Sequence, residues 1–495
     1  MATAPTSKIP RVAWIVVGVG VALFTVAQTL ILSWKAAGLM PEWPFDLNFF
    51  HNLVWNTAHG NGWIQTSTYH EPPGIFGETH FEPILLLAVP AYLFHQHYET
   101  IFFVQSLVLG LGAFGVYRVA RSGRASTFAA CAAAWIYLGW WPLWRMAQAD
   151  VRPLTWSIPF LVLLVAALRE ERRTEALAWA FLACICREEV PILVVAICGG
   201  HFALNWVAKD AERRSTALRV AAAAVVFFVV TTLLRTNTTF YIQPDAWLES
   251  LTSSDGPSAA EQWGRDAGEM WSRRLGWFGE WIVPVGLGAL AAPEILIGGL
   301  PLLGYLFTQG HEWATWEGPY IHHTASMVGI MAAAAALGWV RILGLVGRKV
   351  PGKALVGAAG VVVLALLGSE VRAVQQAWEP YLQNELTPWR SQEPRVLEAH
   401  RLADRIPRDA PAMAGYDLIH LISGRRWVYC YQQEEIEDPA PGPGGLGDDP
   451  LLPPAETQPQ WALVALEHDP WIERAAAAGL VEVERGDEWV LFGPP

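Results

Sequence analysis

The sequence predicts a mainly α, polytopic membrane protein: a transmembrane helix bundle followed by a small C-terminal α/β domain. Three observations lead there. Hydrophobic residues make up 53% of the 495 residues and charged residues only 16%, with a mean hydropathy of +0.26, a composition displaced from soluble domains toward membrane-embedded ones. Apolar runs near spanning length recur up to residue 369 and then stop. Lys and Arg gather in alternate short loops, the asymmetry that orients membrane helices.

The runs fall at 12–34, 100–118, 126–142, 154–168, 175–186, 190–207, 217–234, 281–291, 295–308, 321–341 and 354–369, about eleven spans in all. Several are shorter than the roughly 20 residues of a straight span, so flanking polar turns must extend them or they are half-length. The first follows Lys8 and Arg11 as a signal peptide would, yet it is too long for a cleavable core and lacks an A-x-A site; it reads as an uncleaved anchor. The run "FEPILLLAVPAYLF" at 81–94 contains Pro83 and Pro90 and is short. If it lies along the interface, one side collects Lys8 and Arg11, then Arg118, Arg121 and Arg124, then the clusters 169–173, 209–219 and 341–353. If it crossed, every later loop would change sides and the bias would reverse. The positive-inside rule therefore puts the N-terminus inside and the C-terminus outside. The 26 Trp suit the two headgroup belts.

Residues 1–369 form the bundle, with polar outer loops at 35–99 and 236–280 and a further one, "QGHEWATWEGPYIHH", carrying His311, Glu312, Glu317, His322 and His323. Residues 370–389 are a linker and 390–495 a soluble α/β domain. Within it, "EPRVLEAHRLADRIP" has helical spacing. "AMAGYD", "RWVYCY", "WALVAL", "VEVER" and "EWVLF" read as strands, "PWIERAAAAGL" as a helix, and the Pro- and Gly-rich 438–459 as a flexible insert. No internal repeat is present.

The net charge of −12, with no basic block, excludes nucleic acid as a partner. Cys131, Cys184, Cys186 and Cys198 lie in apolar helices without zinc-ligand spacing and read as small buried hydrophobes. There is no Walker loop, dinucleotide fingerprint or G-x-S-x-G elbow, which removes ATP-driven transport and serine hydrolysis.

With this topology, ionisable groups from separate segments meet on the outer side. The stretch "FDLNFFHNLVWNTAHGNG" brings Asp46, His51 and His59. Then come His80 with Glu82, Asp150 with Arg152, Arg187 with Glu188 and Glu189, and His322 with His323. Ionisable groups this close to a bilayer need water or a partner, and their convergence suits a hydrated cavity. Simpler roles stand beside this. Asp46, His80 and Glu82 also fit helix caps, Arg152 fits a pair with Asp150, and His322–His323 fit interfacial snorkelling. The turn "CREEVP" is the hardest to dismiss, since two apolar runs joined by so little hold Arg187, Glu188 and Glu189 near headgroup depth. His70, Glu71, Glu78, His80 and Glu82 are residue types that bind divalent metals, without a metal-binding motif.

Several segments resemble the bacterial polytopic membrane proteins grouped as domain of unknown function 2079. They are "FDLNFFHNLVWNTAHGNG", "THFEPILLLAVPAYLF", "ADVRPLTWSIPFLVLLVAALREER", "CREEVP", "YIHHTASMVGIMAAAAAL" and, more weakly, "DRIPRDAPAMAGYDLIHLISGRRWVY". That family is itself similar to GT-C-type glycosyltransferases, which use polyprenyl-phosphate sugars at the outer face. The chain departs from it at Asp150-Val151-Arg152-Pro153-Leu154, where the family usually reads Asp-Phe-His-Pro-Glu. It departs also at Arg187-Glu188-Glu189 (usually Lys-Glu-Asp) and at Asn48 (usually Gly).

The resemblance implies a GT-C-like bundle in the bacterial cytoplasmic (inner) membrane with an extracytoplasmic C-terminal domain. It implies a catalytic carboxylate at Asp46, with Glu188 and Glu189 as second acids. Arg152 and Arg187 would clamp the phosphate, and His51, His59, His80, Asp150, His322 and His323 would bind substrate. A polyprenyl-phosphate sugar would be co-substrate and the membrane lipid a partner; a divalent metal is admitted, its ligands undefined. Two other functions stand at this stage: a non-catalytic membrane scaffold, and a transporter or flippase of lipid-linked or polar solutes. The sidedness is testable. A cysteine placed in the turn 169–173 should react in intact cells only with a membrane-permeant maleimide, and labelling by an impermeant reagent would reverse the topology.

Overall fold

The computed structural model describes residues 10–39, 41, 44–66, 74–75, 80–234, 288–301, 325–346, 391–431, 458–467 and 469–495. The expected loop 236–280, linker 370–389, most of the insert 438–459, span 354–369, most of 281–291 and the pair His322–His323 lie outside the described residues.

Among the described residues five helices are long and apolar enough to cross a membrane: α1 (Arg11–Ala37), α4 (Tyr98–Ser122), α9 (Val190–Val207), α10 (Ala211–Leu234) and α12 (Ala325–Val346). The others are shorter. Helix α2 (Pro44–Ala58) follows α1 directly. The run at 81–94 is a 3-10 helix, Pro83–Ala88, ending in the single turn α3 (Val89–Tyr92). Its length fits the interfacial reading. Helix α5 (Thr127–Gly139) starts on Ser126, whose hydroxyl accepts the Ala129 N–H at 3.1 Å, and it stops at Trp140, whose extended backbone opens α6 (Trp141–Gln148). The expected span at 126–142 is thus two helices. A 3-10 helix, Pro153–Trp156, leads into α7 (Ser157–Arg169); α8 (Arg173–Cys184) and the one-turn α11 (Pro293–Leu296) complete the described bundle.

The helices pack through small residues. A β-carbon on Gly329 of α12 would lie 2.6 Å from the Ile158 carbonyl, and one on Gly115 of α4 would lie 2.8 Å from Val162 of α7. In a bilayer, where lipid is as apolar as leucine, close backbone approach is what holds helices together. The basic turns share one end of the bundle. Arg118 meets Glu170 at 2.7 Å and Glu175 at 2.6 Å, Arg213 meets Glu171 at 2.5 Å, and Arg341 meets Glu294 at 2.5 Å.

At the other end sits a five-stranded mixed sheet. Its strands are β3 (Ala412–Gly415), β4 (Val428–Tyr431), β5 (Trp461–Ala465), β6 (Val481–Arg485) and β7 (Trp489–Gly493), in the order β4-β3-β5-β7-β6. Strand β3 runs parallel to β4 and β5, and β7 antiparallel to β5 and β6. Alternation divides the side chains. Ala412, Ala414, Leu463 and Leu491 face helix α13 (Pro394–Ala403), while Met413, Val464, Val490 and Phe492 face helix α14 (Asp469–Ala477). Leu39 and Phe45, at the end of α1 and the start of α2, pack on the α13 side, so that face meets the bundle.

Helix α2 carries this junction. Leu47, Phe50, Leu53 and Val54 join the bundle core. On its other side Asn52 donates to the Arg425 carbonyl at 2.7 Å and accepts the Thr66 N–H at 2.9 Å, and Asn56 donates to the Arg426 carbonyl at 3.4 Å. Thr66, just after the short strand β1 (Ile64–Gln65), donates its hydroxyl to the Arg426 carbonyl at 2.8 Å. His51 forms a directed chain. Ser423 Oγ donates to the His420 carbonyl at 2.7 Å, so it accepts from His51 Nδ1 at 2.5 Å, and His51 Nε2 accepts the Tyr92 hydroxyl at 2.6 Å. His420 and His400 donate Nε2–H to the Ala36 and Ala37 carbonyls at 3.0 and 2.9 Å, satisfying the C-terminus of α1.

Both buried histidines of the junction are held neutral. Burial first, then the charges of His97 and His420, lower His51 from 6.5 to about 3; burial first, with His400 and His97 adding to it against the Ala36 bond, lowers His420 to about 4. A depressed folded pKa makes the junction fully stable above the ordinary value of 6.5 and erodes it as pH falls toward 4 and then 3. Amide exchange across 419–431, corrected for intrinsic rate, should lose protection between about pH 7 and about pH 4.5, with the α4 interior unchanged. Equal protection at both values would remove the histidines from this role.

Candidate functional site

Asp46 lies in the first turn of α2, where the helix dipole favours a carboxylate, and its Oδ2 contacts Nη2 of Arg152. Arg152 is thus paired with Asp46 on another helix. Its extended backbone (φ −137°, ψ 99°) is the conformation a following proline imposes, and Pro153 opens the 3-10 helix behind it. Asp150 takes φ +52°, an unusual angle for a residue with a β-carbon. The Gln105 amide of α4 holds this turn. Its Nε2 donates to the carbonyls of Asp150 and, at 3.3 Å, Ala147; its Oε1 accepts Arg152 N–H at 3.0 Å and Trp156 Nε1–H at 3.1 Å.

The α8–α9 turn supplies the rest. Its Ile185 carbonyl accepts the Ile84 N–H at 3.1 Å, tying the turn to the 3-10 helix Pro83–Ala88. Arg187 and Glu188 are buried, and Arg187 Nε lies 3.3 Å from Glu189. Arg187 Nη2 donates to His80 Nε2 at 2.6 Å. A guanidinium has no acceptor, so Nε2 carries no proton and His80 Nδ1–H donates to Glu188 at 2.8 Å. The second oxygen of Glu188 accepts the Phe81 N–H at 3.0 Å. His80 is therefore a neutral bridge between Arg187 and Glu188.

Glu82, the residue preceding the 3-10 helix, is 7% exposed and lies within the field of Arg187, Glu188, Glu189 and Arg152. Burial is the largest influence and raises its carboxyl to about 8; Arg187 opposes this, while Glu188 and Glu189 add to it. From the sheet domain Tyr416 comes close enough to feel Asp46 and Arg152, its hydroxyl pushed up to about 12 by burial and then by the Asp46 charge.

The structure thus pairs Asp46 with Arg152, with Asp150 at the turn that presents Arg152, and links His80 with Arg187, Glu188 and Glu189, while Glu82 lies within the field of both groups. His51 is elsewhere, in the sheet-domain junction. His59 is exposed, stacked on Trp55 at 3.9 Å, with its Nδ1–H donated to the Trp55 carbonyl at 2.8 Å. Gln105 and Tyr416 were not singled out by sequence reasoning, whereas Glu82 was placed with His80 among the groups converging on the outer side. Gln105 had a signal, an amide inside the apolar "FFVQSLVLG", whereas Tyr416 had none. Among the described residues no three His, Cys, Asp or Glu side chains are arranged to hold a metal ion. His80, Glu188 and Glu189 are bonded within the cluster, and His70, Glu71 and Glu78 lie outside the described residues. The described cysteines are buried and unbridged, as small hydrophobes would be.

Fold and site together define a multi-pass membrane protein whose bundle end holds a buried Arg–carboxylate cluster beneath a small mixed sheet. The chain belongs to the DUF2079 family, described as predicted membrane proteins, which matches residues 43–440. Among solved structures, it is similar to ArnT from Cupriavidus metallidurans bound to undecaprenyl phosphate, at 13% identity and a TM-score of 0.49, covering 95% of this chain and 97% of that one. It is also similar to the oligosaccharyltransferase AglB from Archaeoglobus fulgidus in complex with an inhibitory peptide and a dolichol-phosphate, at 12% identity and a TM-score of 0.47, covering 93% of this chain and 70% of that one. No curated protein matches it.

Gln105→Leu should strip partners from the buried Arg152 N–H and Trp156 indole N–H, each worth about 1–3 kcal/mol when left unsatisfied. The expected result is a thermal midpoint in detergent lowered by several degrees, with Gln105→Glu no better, because it replaces the donor with an acceptor facing carbonyls. A midpoint unchanged in Gln105→Leu would show that the clamp holds nothing.

Proposed function

We propose that this protein is a membrane glycosyltransferase that moves a sugar from a polyprenyl-phosphate donor to a hydroxyl acceptor at the outer face. The observation supporting this is the Asp46–Arg152 pair, set beside Arg187 and the interfacial segment 83–93, whose Leu86, Leu87 and Leu93 are exposed. A phosphate at the membrane surface meets guanidinium forks there, and its lipid tail meets the apolar segment.

Asp46 and Arg152 neutralise each other at rest. A phosphate taking up Arg152 releases the Asp46 carboxylate, which is 27% exposed and within reach of an acceptor. Asp46 then accepts the acceptor hydroxyl proton as the acceptor oxygen bonds to the sugar anomeric carbon. The bond from that carbon to the donor phosphate oxygen breaks, and polyprenyl phosphate leaves with the electron pair. Arg152 and Arg187 stabilise the departing charge, and Glu188 holds Arg187 through His80.

Loss of a general base removes about 10²–10⁴ in rate. Asp46→Asn at the chromosomal locus should therefore abolish a glycan modification of the cell envelope detectable by mass spectrometry, at an unchanged membrane level of the protein. An unaltered envelope glycan profile at normal expression would exclude the carboxylate, and the transferase reading with it.

A further inference from the structure

Among the described residues, carboxyls outnumber guanidinia in the cluster. Asp46, Glu82, Glu188 and Glu189 supply four carboxyls, while Arg152 and Arg187 supply two guanidinia. His80 adds no charge, because both its ring nitrogens are committed in the neutral form. Asp46 is matched to Arg152 and Glu189 to Arg187, and Glu188 accepts from His80 and from the Phe81 N–H. The Glu82 carbonyl accepts the Leu85 N–H at 3.3 Å, but its carboxyl has no hydrogen-bond partner among the described residues, although the residue is only 7% exposed. An anionic phosphate entering here would add negative charge where carboxyls already exceed guanidinia. In a partly dry site that repulsion is poorly screened and opposes binding. One neutral carboxyl removes it and supplies a donor.

We propose that Glu82 is the proton-bearing carboxyl of this site, donating its acid O–H to a phosphate oxygen of the lipid-linked ligand, so that the ligand is bound with Glu82 protonated and expelled when Glu82 ionises. This rests on the reading that the cluster takes a lipid phosphate. The groups facing Glu82 are Arg187, Glu188 and Glu189 from the α8–α9 turn and Arg152 from the turn before α7, which act on its proton, together with the buried Cys186 thiol of the α8–α9 turn, which feels the Glu82 charge. Burial and the two neighbouring glutamates hold the proton on Glu82 up to about pH 8, against the pull of the two arginines. Such a carboxyl stays neutral at physiological pH and acts as a hydrogen-bond donor, which an ordinary glutamate cannot do.

The test is binding of farnesyl phosphate to the purified full-length protein in detergent, from about pH 6.5 to about pH 9.5. A phosphate monoester completes its own ionisation near pH 6, below the window of interest. The dissociation constant should be level up to about pH 8 and then weaken about tenfold per pH unit. Glu82→Gln, neutral at every pH and still a donor, should bind without that break. Calorimetry in buffers of different ionisation enthalpy at about pH 9 should show uptake of close to one proton per ligand by the wild type, a readout independent of any variant. Inorganic phosphate, titrated in parallel, separates a headgroup-only site, where it binds as tightly as farnesyl phosphate, from a lipid site, where it binds far more weakly; in both the break belongs to Glu82. A break that persists in Glu82→Gln, or zero proton uptake in the wild type, overturns the role of Glu82 and leaves lipid-phosphate binding standing. No saturable binding of farnesyl phosphate at any pH overturns both.

Discussion

Burying the Arg152 guanidinium against the Asp46 carboxylate joins two segments that the chain separates by more than one hundred residues. Moving either charge out of water costs several kcal/mol, and their attraction repays this only where geometry is held and remaining donors are met. The pair therefore makes demands on its surroundings. Gln105 answers on one side by holding the turn that presents Arg152, in a backbone conformation that Asp150 would not adopt unaided. On the other side α2 is clamped by the bundle core beneath it and by the backbone of 423–428 above it. Loosen either and a buried charge loses its partner.

Two histidines illustrate how polar groups are handled at this end of the molecule. His51 and His80 each bridge a donor and an acceptor, and in each the partner's chemistry decides the tautomer. The chain through His51 runs from Tyr92 to Ser423 and ends on a carbonyl of the sheet domain, so it is a mechanical link. The chain through His80 ends on Arg187 and Glu188, so it orients charge. The same residue type thus serves as a strut in one place and as a positioning group in the other, and only its partners distinguish the two. The sheet domain belongs to the site in consequence. The same domain that receives the α2 amides also brings Tyr416, just after β3, close enough to feel the Asp46 charge.

Much of the architecture was legible from composition and period. The ends of α1, α9 and α10 lie within a few residues of their apolar runs, and all five strands of the sheet lie in the segments that alternate. Asp46, Arg152, Arg187, Glu188, Glu189 and His80 were visible because an ionisable group beside an apolar run is costly and must have a reason. Trp140 was not visible as a break, since tryptophan neither caps nor forbids a helix. The partners of Asn52 and Asn56 were not visible, because nothing local shows that the backbone about 370 residues further on will need their amides.

The sequence by itself determined which segments enter the membrane, which turns carry positive charge and which residues are too polar for their setting. Those properties depend on hydropathy and period, which are local sums over neighbours in the chain. Only the tertiary structure decided that Arg152 answers Asp46, that His51 holds the sheet domain while His80 holds Arg187, and that Glu82 is the carboxyl left over. Pairing is a property of distance in space, and a hydrogen bond between Asn52 and Arg425 leaves no trace in the order of residues between them.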